Sequence, residues 1–310
     1  MIWRTARARM VGALAVAALP GIPALAQVRG VYPLGMSATN SGVMARPGFT
    51  YVNNFLFYAR DESVGPNGEV LATGSNSVMM DMNTFVWVSQ RRLHALGDAK
   101  VSIAATLPIA NNSLSSDIAG AISGGGGFAD SYYQPLILGW QSQRYDVKVA
   151  YGFLAPTGRF EAGANDNVGS GYWTHTLSAG ATFYLTNSKA TALSAFQIYE
   201  FHTTQEGTGI HPGETLSLDY SLMHTVPLDA DLGMQVGLVG YSQWQTTDKS
   251  GPAITPEQAA AHYRVNALGI GFSMLLPQRR VSVGARYYDE FASRSTYQGY
   301  SFQIVAAITF

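Results

Sequence analysis

Segments in which large apolar side chains alternate with small or polar ones recur along this chain, and no apolar run reaches the length of a membrane helix. Successive side chains of a strand point to opposite faces, so each segment reads as a strand with one greasy face and one small or polar face. Residues 297–310 show the pattern most plainly. Tyr300, Phe302, Ile304, Ala306, Ile308 and Phe310 share one parity, while Ser301, Gln303, Val305, Ala307 and Thr309 share the other. A tilted strand of roughly ten residues is long enough to cross a bilayer.

The same alternation is read in residues 48–60, 78–90, 99–109, 131–142, 146–155, 173–185, 190–203, 214–225, 232–245, 263–275 and 281–290, a total of about twelve strands, even in number as bacterial barrels require. Phe49, Tyr51, Asn53, Phe55 and Phe57 share a face, as do Met80, Met82, Thr84, Val86 and Val88, opposite Asp81, Asn83 and Ser89. Tyr132 is placed with Leu136, Leu138 and Trp140. Residues 190–203 are too irregular for their faces to be assigned. Short turns at 143–145, 186–189, 227–231 and 277–280 alternate with long polar connections at 61–77, 110–130, 156–172, 204–213, 246–262 and 291–296, residues 91–98 being the longest of the short set. A barrel with both termini in the periplasm puts every short turn inside and every long loop outside. A soluble sandwich has no reason to keep that order. The expectation is all-β: a transmembrane antiparallel barrel of the outer-membrane type over residues 48–310. Tyr132, Trp140, Trp173, Tyr184, Trp244, Tyr287 and Tyr297 are expected at its interface girdles.

Composition agrees. Charged residues are 13% and aromatics 12% of the chain, where soluble domains average about 25% charged; a wall facing lipid accounts for the deficit. Residues 1–26 read as a cleaved signal peptide: Arg4, Arg7 and Arg9, then an apolar run, then Ala24-Leu25-Ala26. The apolar run is too short for a membrane anchor. Removing those three arginines from 19 basic residues leaves 16 against 20 acidic ones, a mature charge of −4, with no basic tract that would suit a nucleic-acid partner. No cysteine is present, so disulfides, thiolate metal sites and cysteine nucleophiles are excluded. Residues 27–47 are glycine-rich and irregular and read as a periplasmic or lumen-entering segment, with a role in binding and gating.

No constellation marks catalysis, a cofactor or a metal. The 6 histidines are scattered without ligand spacing. A barrel enzyme acting on lipids would need a His–Ser pair on one wall, but His175 and Ser178 are three apart and face opposite sides. Residues 123–127 (SGGGG) lack the lysine of a phosphate loop and read as a flexible loop. Asn165, Asp166 and Asn167 lack calcium-loop spacing. The inner face remains. Asp81, Asp146, Lys148, Asp219, Gln235, Tyr241, Gln243, Arg286 and Glu290 are the candidate lumen-facing groups, because charge at membrane depth belongs inside. Glycines 152, 180, 237, 269, 271 and 284 would leave lumen space between them.

Pro47-Gly48-Phe49, Asn53-Asn54-Phe55-Leu56-Phe57-Tyr58, Ala105-Thr106-Leu107-Pro108 and Gly127-Phe128-Ala129-Asp130 lead to Pro135-Leu136-Ile137-Leu138-Gly139-Trp140. Pro156-Thr157-Gly158-Arg159-Phe160 then runs through Asn167 and Gly169 to Trp173. These blocks resemble the MetA-pathway of phenol degradation family of outer-membrane barrels, over most of the chain from Pro47 onward. Arg159-Phe160 departs from the family, where a tyrosine is expected near the second position. The resemblance implies passive uptake of small hydrophobic or aromatic compounds. The implied partners are that ligand, outer-membrane lipid, and the barrel-insertion machinery through the terminal strand ending at Phe310. The alternatives are a lipid-modifying barrel enzyme and a structural barrel with a plugged lumen.

Overall fold

A computed structural model of the chain describes residues 29–116, 120–252 and 254–310. The expected signal peptide, residues 1–26, lies outside them, as do Gln27 and Val28. The strands are β1 (Gly48–Val64), β2 (Val70–Thr73), β3 (Ser77–Leu93), β4 (Ala99–Ser116), β5 (Gly120–Phe128), β6 (Ser131–Gln141), β7 (Tyr145–Ala155), β8 (Thr174–Tyr184), β9 (Thr191–His202), β10 (Thr215–Asp229), β11 (Leu232–Gln245), β12 (Arg264–Leu276), β13 (Val281–Arg294) and β14 (Thr296–Thr309). A short helix, α1 (Pro256–Ala260), lies in the connection between β11 and β12.

Neighbouring strands pair antiparallel, and β14 returns to β1 with Thr50 opposite Thr309 and Val64 opposite Thr296. The sheet therefore closes on itself. β2 pairs only with β1 and β5 only with β4, so twelve strands form the ring. Closure leaves no row of unpaired backbone groups facing lipid, which is what allows a sheet to cross a membrane.

The side-chain distribution is that of a protein turned inside out. Ile270 is 64% exposed and Leu238 61%, both on the outer wall, while Asp219, Glu200 and Gln243 on the inner wall are 0% exposed. In water this arrangement would forfeit the burial of the largest aliphatic groups. In a bilayer the outer wall is matched to hydrocarbon and the polar groups satisfy one another inside. The short turns contain residues in the left-handed region, Asp98 (φ 58°), Lys189 (φ 60°) and Arg280 (φ 56°), which reverse the chain in few residues.

Three local expectations need correction. Residues 123–127 are not a flexible loop: Gly124–Gly127 pair in β5 with Ser113–Ala110 of β4. Backbone pairing needs no side chain, so glycine's low strand propensity did not prevent it. Tyr132 does not share a face with Leu136, because β6 carries a bulge between Tyr133 and Leu136 that flips the parity. Pro135 sits in that bulge, where a missing N–H costs no ladder bond. The girdle set also divides. Trp140, Trp173, Trp244 and Tyr287 lie on the outer parity, whereas Tyr132, Tyr184 and Tyr297 turn inward. Tyr132 bonds to Thr176 at 2.7 Å, Tyr184 donates to Asp146 at 2.7 Å, and Tyr297 lies under the Arg60 guanidinium at 5.2 Å.

Candidate functional site

The strand faces determine which side chains enter the lumen, and the segment from Arg29 to Pro47 determines how much of it stays empty. That segment lies against the inward side chains of β7–β14, packs Met44 on Val88 of β3 and Ile137 of β6, and is held by a set of inward polar groups. Glu290 on β13 accepts from Arg29 Nη1 at 2.6 Å and Nη2 at 2.9 Å, from Tyr241 at 2.8 Å and from Tyr58 at 2.9 Å. Arg29 donates further to Thr296 Oγ1 at 3.1 Å and to the Tyr297 carbonyl. Asp219 on β10 accepts from the Tyr32 hydroxyl at 2.6 Å and from the Gly35 and Ser37 N–H groups at 3.0 Å each.

Carbonyls of the segment find partners on the wall in turn. Arg286 donates to the Met36 carbonyl at 3.0 Å and to Thr39 at 2.7 Å, Tyr288 to the Gly35 carbonyl at 2.9 Å, Gln303 to the Leu34 carbonyl at 2.7 Å, and Ser221 to the Ala38 carbonyl at 2.7 Å. Backbone that is neither helix nor sheet persists at membrane depth only when it is satisfied in this way. Of the six glycines expected to leave lumen space, Gly180 instead makes room for this backbone. A Cβ at Gly180 would lie 2.0 Å from the Ser41 carbonyl oxygen.

The other side of the lumen is different. Between the segment and the inward faces of β1, β3, β4 and β6–β9, toward the long-loop end, lies a cavity of about 430 Å³. Met80, Met82, Pro108, Leu154 and Ile198 supply apolar wall, and Val31, Pro33 and Met36 of the inner segment supply its floor. Tyr132, Tyr172, Arg60 and Glu200 add polar groups. A few polar groups set in an apolar lining is the usual make-up of a small-molecule site.

The connection of residues 156–173 closes the cavity on the loop side, through Val168, Gly169, Ser170 and Tyr172. Asp130 fastens it, accepting from Gly158 N at 2.9 Å, Ser170 N at 2.7 Å and Ser170 Oγ at 2.6 Å. Gly158 and Gly169 meet backbone to backbone, and a Cβ on Gly158 would lie 2.8 Å from Gly169 Cα. Those contacts explain why a Pro-Thr-Gly start and a later Gly-Ser belong together in this stretch.

Of the nine residues singled out from sequence, eight point inward: Asp146, Lys148, Asp219, Gln235, Tyr241, Gln243, Arg286 and Glu290 all lie on the inner parity of their strands. They do not form one site. Asp219, Arg286, Glu290, Tyr241, Gln235 and Gln243 engage the inner segment or its supports, while Asp146 meets Tyr184 near the short-turn end. Asp81 is the exception. It lies opposite Phe55 and Ile109 on the outer parity, and accepts from Asn53 and Asn83 there. The inward face of β3 is the Met80–Met82–Val88 face, so the polarity of Asp81 does not predict its direction. The cavity groups Arg60, Met80, Met82, Leu154, Ile198 and Glu200 were not singled out from sequence. Glu200 and Ile198 fall in the segment whose alternation was left unassigned, although its parity runs unbroken from Ala192 to His202 in the fold.

The family described as "Putative MetA-pathway of phenol degradation" matches residues 59–305. No curated protein sequence matches the chain. Among solved structures, the chain is similar to the COG4313 outer membrane channel from Pseudomonas putida F1, at 13% identity and a TM-score of 0.66, covering 88% of this chain and 98% of that one. It is also similar to the beta domain of the Bordetella autotransporter BrkA, at 11% identity and a TM-score of 0.53, covering 86% of this chain and 100% of that one. At these identities the likeness is one of fold.

Proposed function

This chain belongs to the MetA-pathway of phenol degradation family, and from that premise we propose that it is a passive outer-membrane channel for small hydrophobic or aromatic compounds. One observation carries the reading: a lumen otherwise filled by the Arg29–Pro47 segment keeps an apolar cavity of about 430 Å³ at its long-loop end. That volume suits one small molecule. A wide aqueous pore would leave no such largely apolar chamber, and a purely structural barrel would have no use for it.

In this reading the long loops face outward and the short turns face the periplasm, as in outer-membrane barrels. A ligand meets the 156–173 loop, enters the chamber between β1 and β9, and moves on when the inner segment shifts. No energy source is invoked. The similar Pseudomonas putida F1 protein is itself described as a channel, which supports the reading. Export through a cleaved signal peptide, recognition of the terminal strand by the insertion machinery, and contact with outer-membrane lipid belong to the same proposal.

The test is uptake of radiolabelled toluene and phenol by an outer-membrane mutant with and without this protein. Faster uptake of either with the protein present supports the channel. Absence of uptake for both, with the barrel shown to be inserted, refutes it. The plugged structural barrel would then stand in its place, favoured by the density of bonds on Glu290 and Asp219.

A further inference from the structure

Two guanidinium groups reach the chamber, and their surroundings differ. Arg29 is paired to Glu290 and donates to Thr296 and Tyr297 as well. Arg60, on β1, has neutral partners: Nη2 donates to Asn112 Oδ1 at 2.6 Å and more weakly to the Ser113 carbonyl at 3.4 Å, and the group lies over the Tyr297 ring. Its Nε–H is buried and has no acceptor among the described residues. Among the described residues no carboxylate lies within ion-pair distance of it. A buried N–H left without an acceptor is costly, and a charged group lining a barrel lumen is a candidate for a substrate path.

The backbone around Arg60 is arranged to hold it there. The pairing of β1 with β14 shifts register between Arg60 and Glu62, and a bulge of this kind re-aims a side chain. The residue opposite Arg60 is Gly299, whose hypothetical Cβ would lie 2.1 Å from the Ala59 carbonyl oxygen, so the two strands approach closely only because it is glycine. The neighbouring chamber wall is apolar, made by Met80, Met82 and Pro108.

We propose that Arg60 is the anchor for an anionic head group, and that the chamber's preferred ligand is a small aromatic carboxylate rather than a neutral hydrocarbon. This rests on the channel reading above and adds the ligand's charge to it. The carboxylate pairs with the Arg60 guanidinium where it lines the chamber, a charge-assisted bond of the strong kind. The ring lies against the methionines and Pro108. Glu200 on β9 also lines the chamber, but its Oε1 is taken by the Tyr32 N–H at 2.7 Å and its Oε2 is buried against Gly30, which leaves Arg60 to meet the ligand's charge.

The test compares benzoate with benzamide and toluene, using cells that carry the full chain and purified protein in detergent. The native protein should bind benzoate roughly tenfold more tightly than its neutral isostere benzamide, the difference expected for one charge-assisted hydrogen bond. Arg60→Met should cut benzoate uptake by a similar factor while toluene uptake stays within roughly twofold, and Arg60→Lys should recover part of the benzoate uptake. Equal binding of benzoate and benzamide to the native protein overturns the proposal, and needs no variant to fold. Equal loss of benzoate and toluene uptake in a folded Arg60→Met barrel also overturns it. Toluene uptake without a benzoate preference would leave the channel standing and remove Arg60 as its selector. No uptake of any of the three would remove the channel itself.

Discussion

The two halves of the lumen are built for opposite purposes. On the arc from β10 to β14, inward polar side chains fasten one stretch of irregular chain: Asp219 receives three donors from Tyr32, Gly35 and Ser37, and Glu290 receives the Arg29 fork. On the arc from β3 to β7, the inward positions carry Met80, Met82, Pro108 and Leu154, and the space in front of them stays empty. The contrast shows how a twelve-strand ring can be tightly filled and still hold a ligand. Polar residues inside a barrel are not evidence of a channel, since here they fasten the filling, and the apolar inward residues make the chamber.

Removing the filling is the largest perturbation. Deleting the chain from Arg29 to Ala45 takes away the partners of Asp219, Arg286 and Gln303 together, and is expected to turn a nearly silent barrel into an open pore, with a many-fold rise in single-channel conductance and in liposome swelling. If conductance stays at the native level, the segment does not fill the lumen as described.

Next comes the Arg29–Glu290 pair. Glu290→Ala leaves a buried guanidinium without its partner, a loss of about 3–5 kcal/mol for such pairs. Because the ring itself is held by strand pairing, that loss should be felt by the inner segment, making the Arg29 bond accessible to trypsin while the barrel stays folded on a heat-modifiability gel. Asp219→Asn keeps the shape but weakens three hydrogen bonds made to a charge, and a smaller effect of about 1.5–3 kcal/mol is expected in the same assay. Equal protease resistance in all three proteins would break the distinction between a fastened half and an empty one. The smallest effect belongs to the outer wall: Asp81→Leu should leave uptake unchanged and stability within about 1 kcal/mol, the range for substitutions away from packed features. A large loss of uptake there would return Asp81 to the lumen.

Much of this was legible in the sequence because a barrel strand writes its two faces in alternate letters. The runs from Leu177 to Leu185 and from Leu216 to Leu222 needed only counting, and the alternation of short and long connections gave the topology. What was hidden depended on local irregularity or on non-local pairing. The Pro135 bulge reversed a parity that counting had carried straight through, and put Tyr132 on the wrong face. Asp81 is polar but turns outward, satisfied by Asn53 and Asn83 on its own wall; polarity is a guide to inwardness only when no outer neighbour can bond the group. The chamber was hardest to see. Its wall is methionine, proline and leucine, residue types indistinguishable in sequence from the lipid-facing set, and its floor comes from a segment more than a hundred residues from Ile198 and Glu200.

The account's central claim is that the empty half is where the ligand sits. Leu154→Trp places a large ring into the chamber from β7 and leaves the partners of the inner segment untouched. Uptake of radiolabelled toluene should be well above background with the native protein and fall close to background with the Leu154→Trp barrel, while trypsin resistance at Arg29 is retained. Native-level uptake through a correctly inserted Leu154→Trp barrel would contradict the claim, and would move the route of passage out of the chamber.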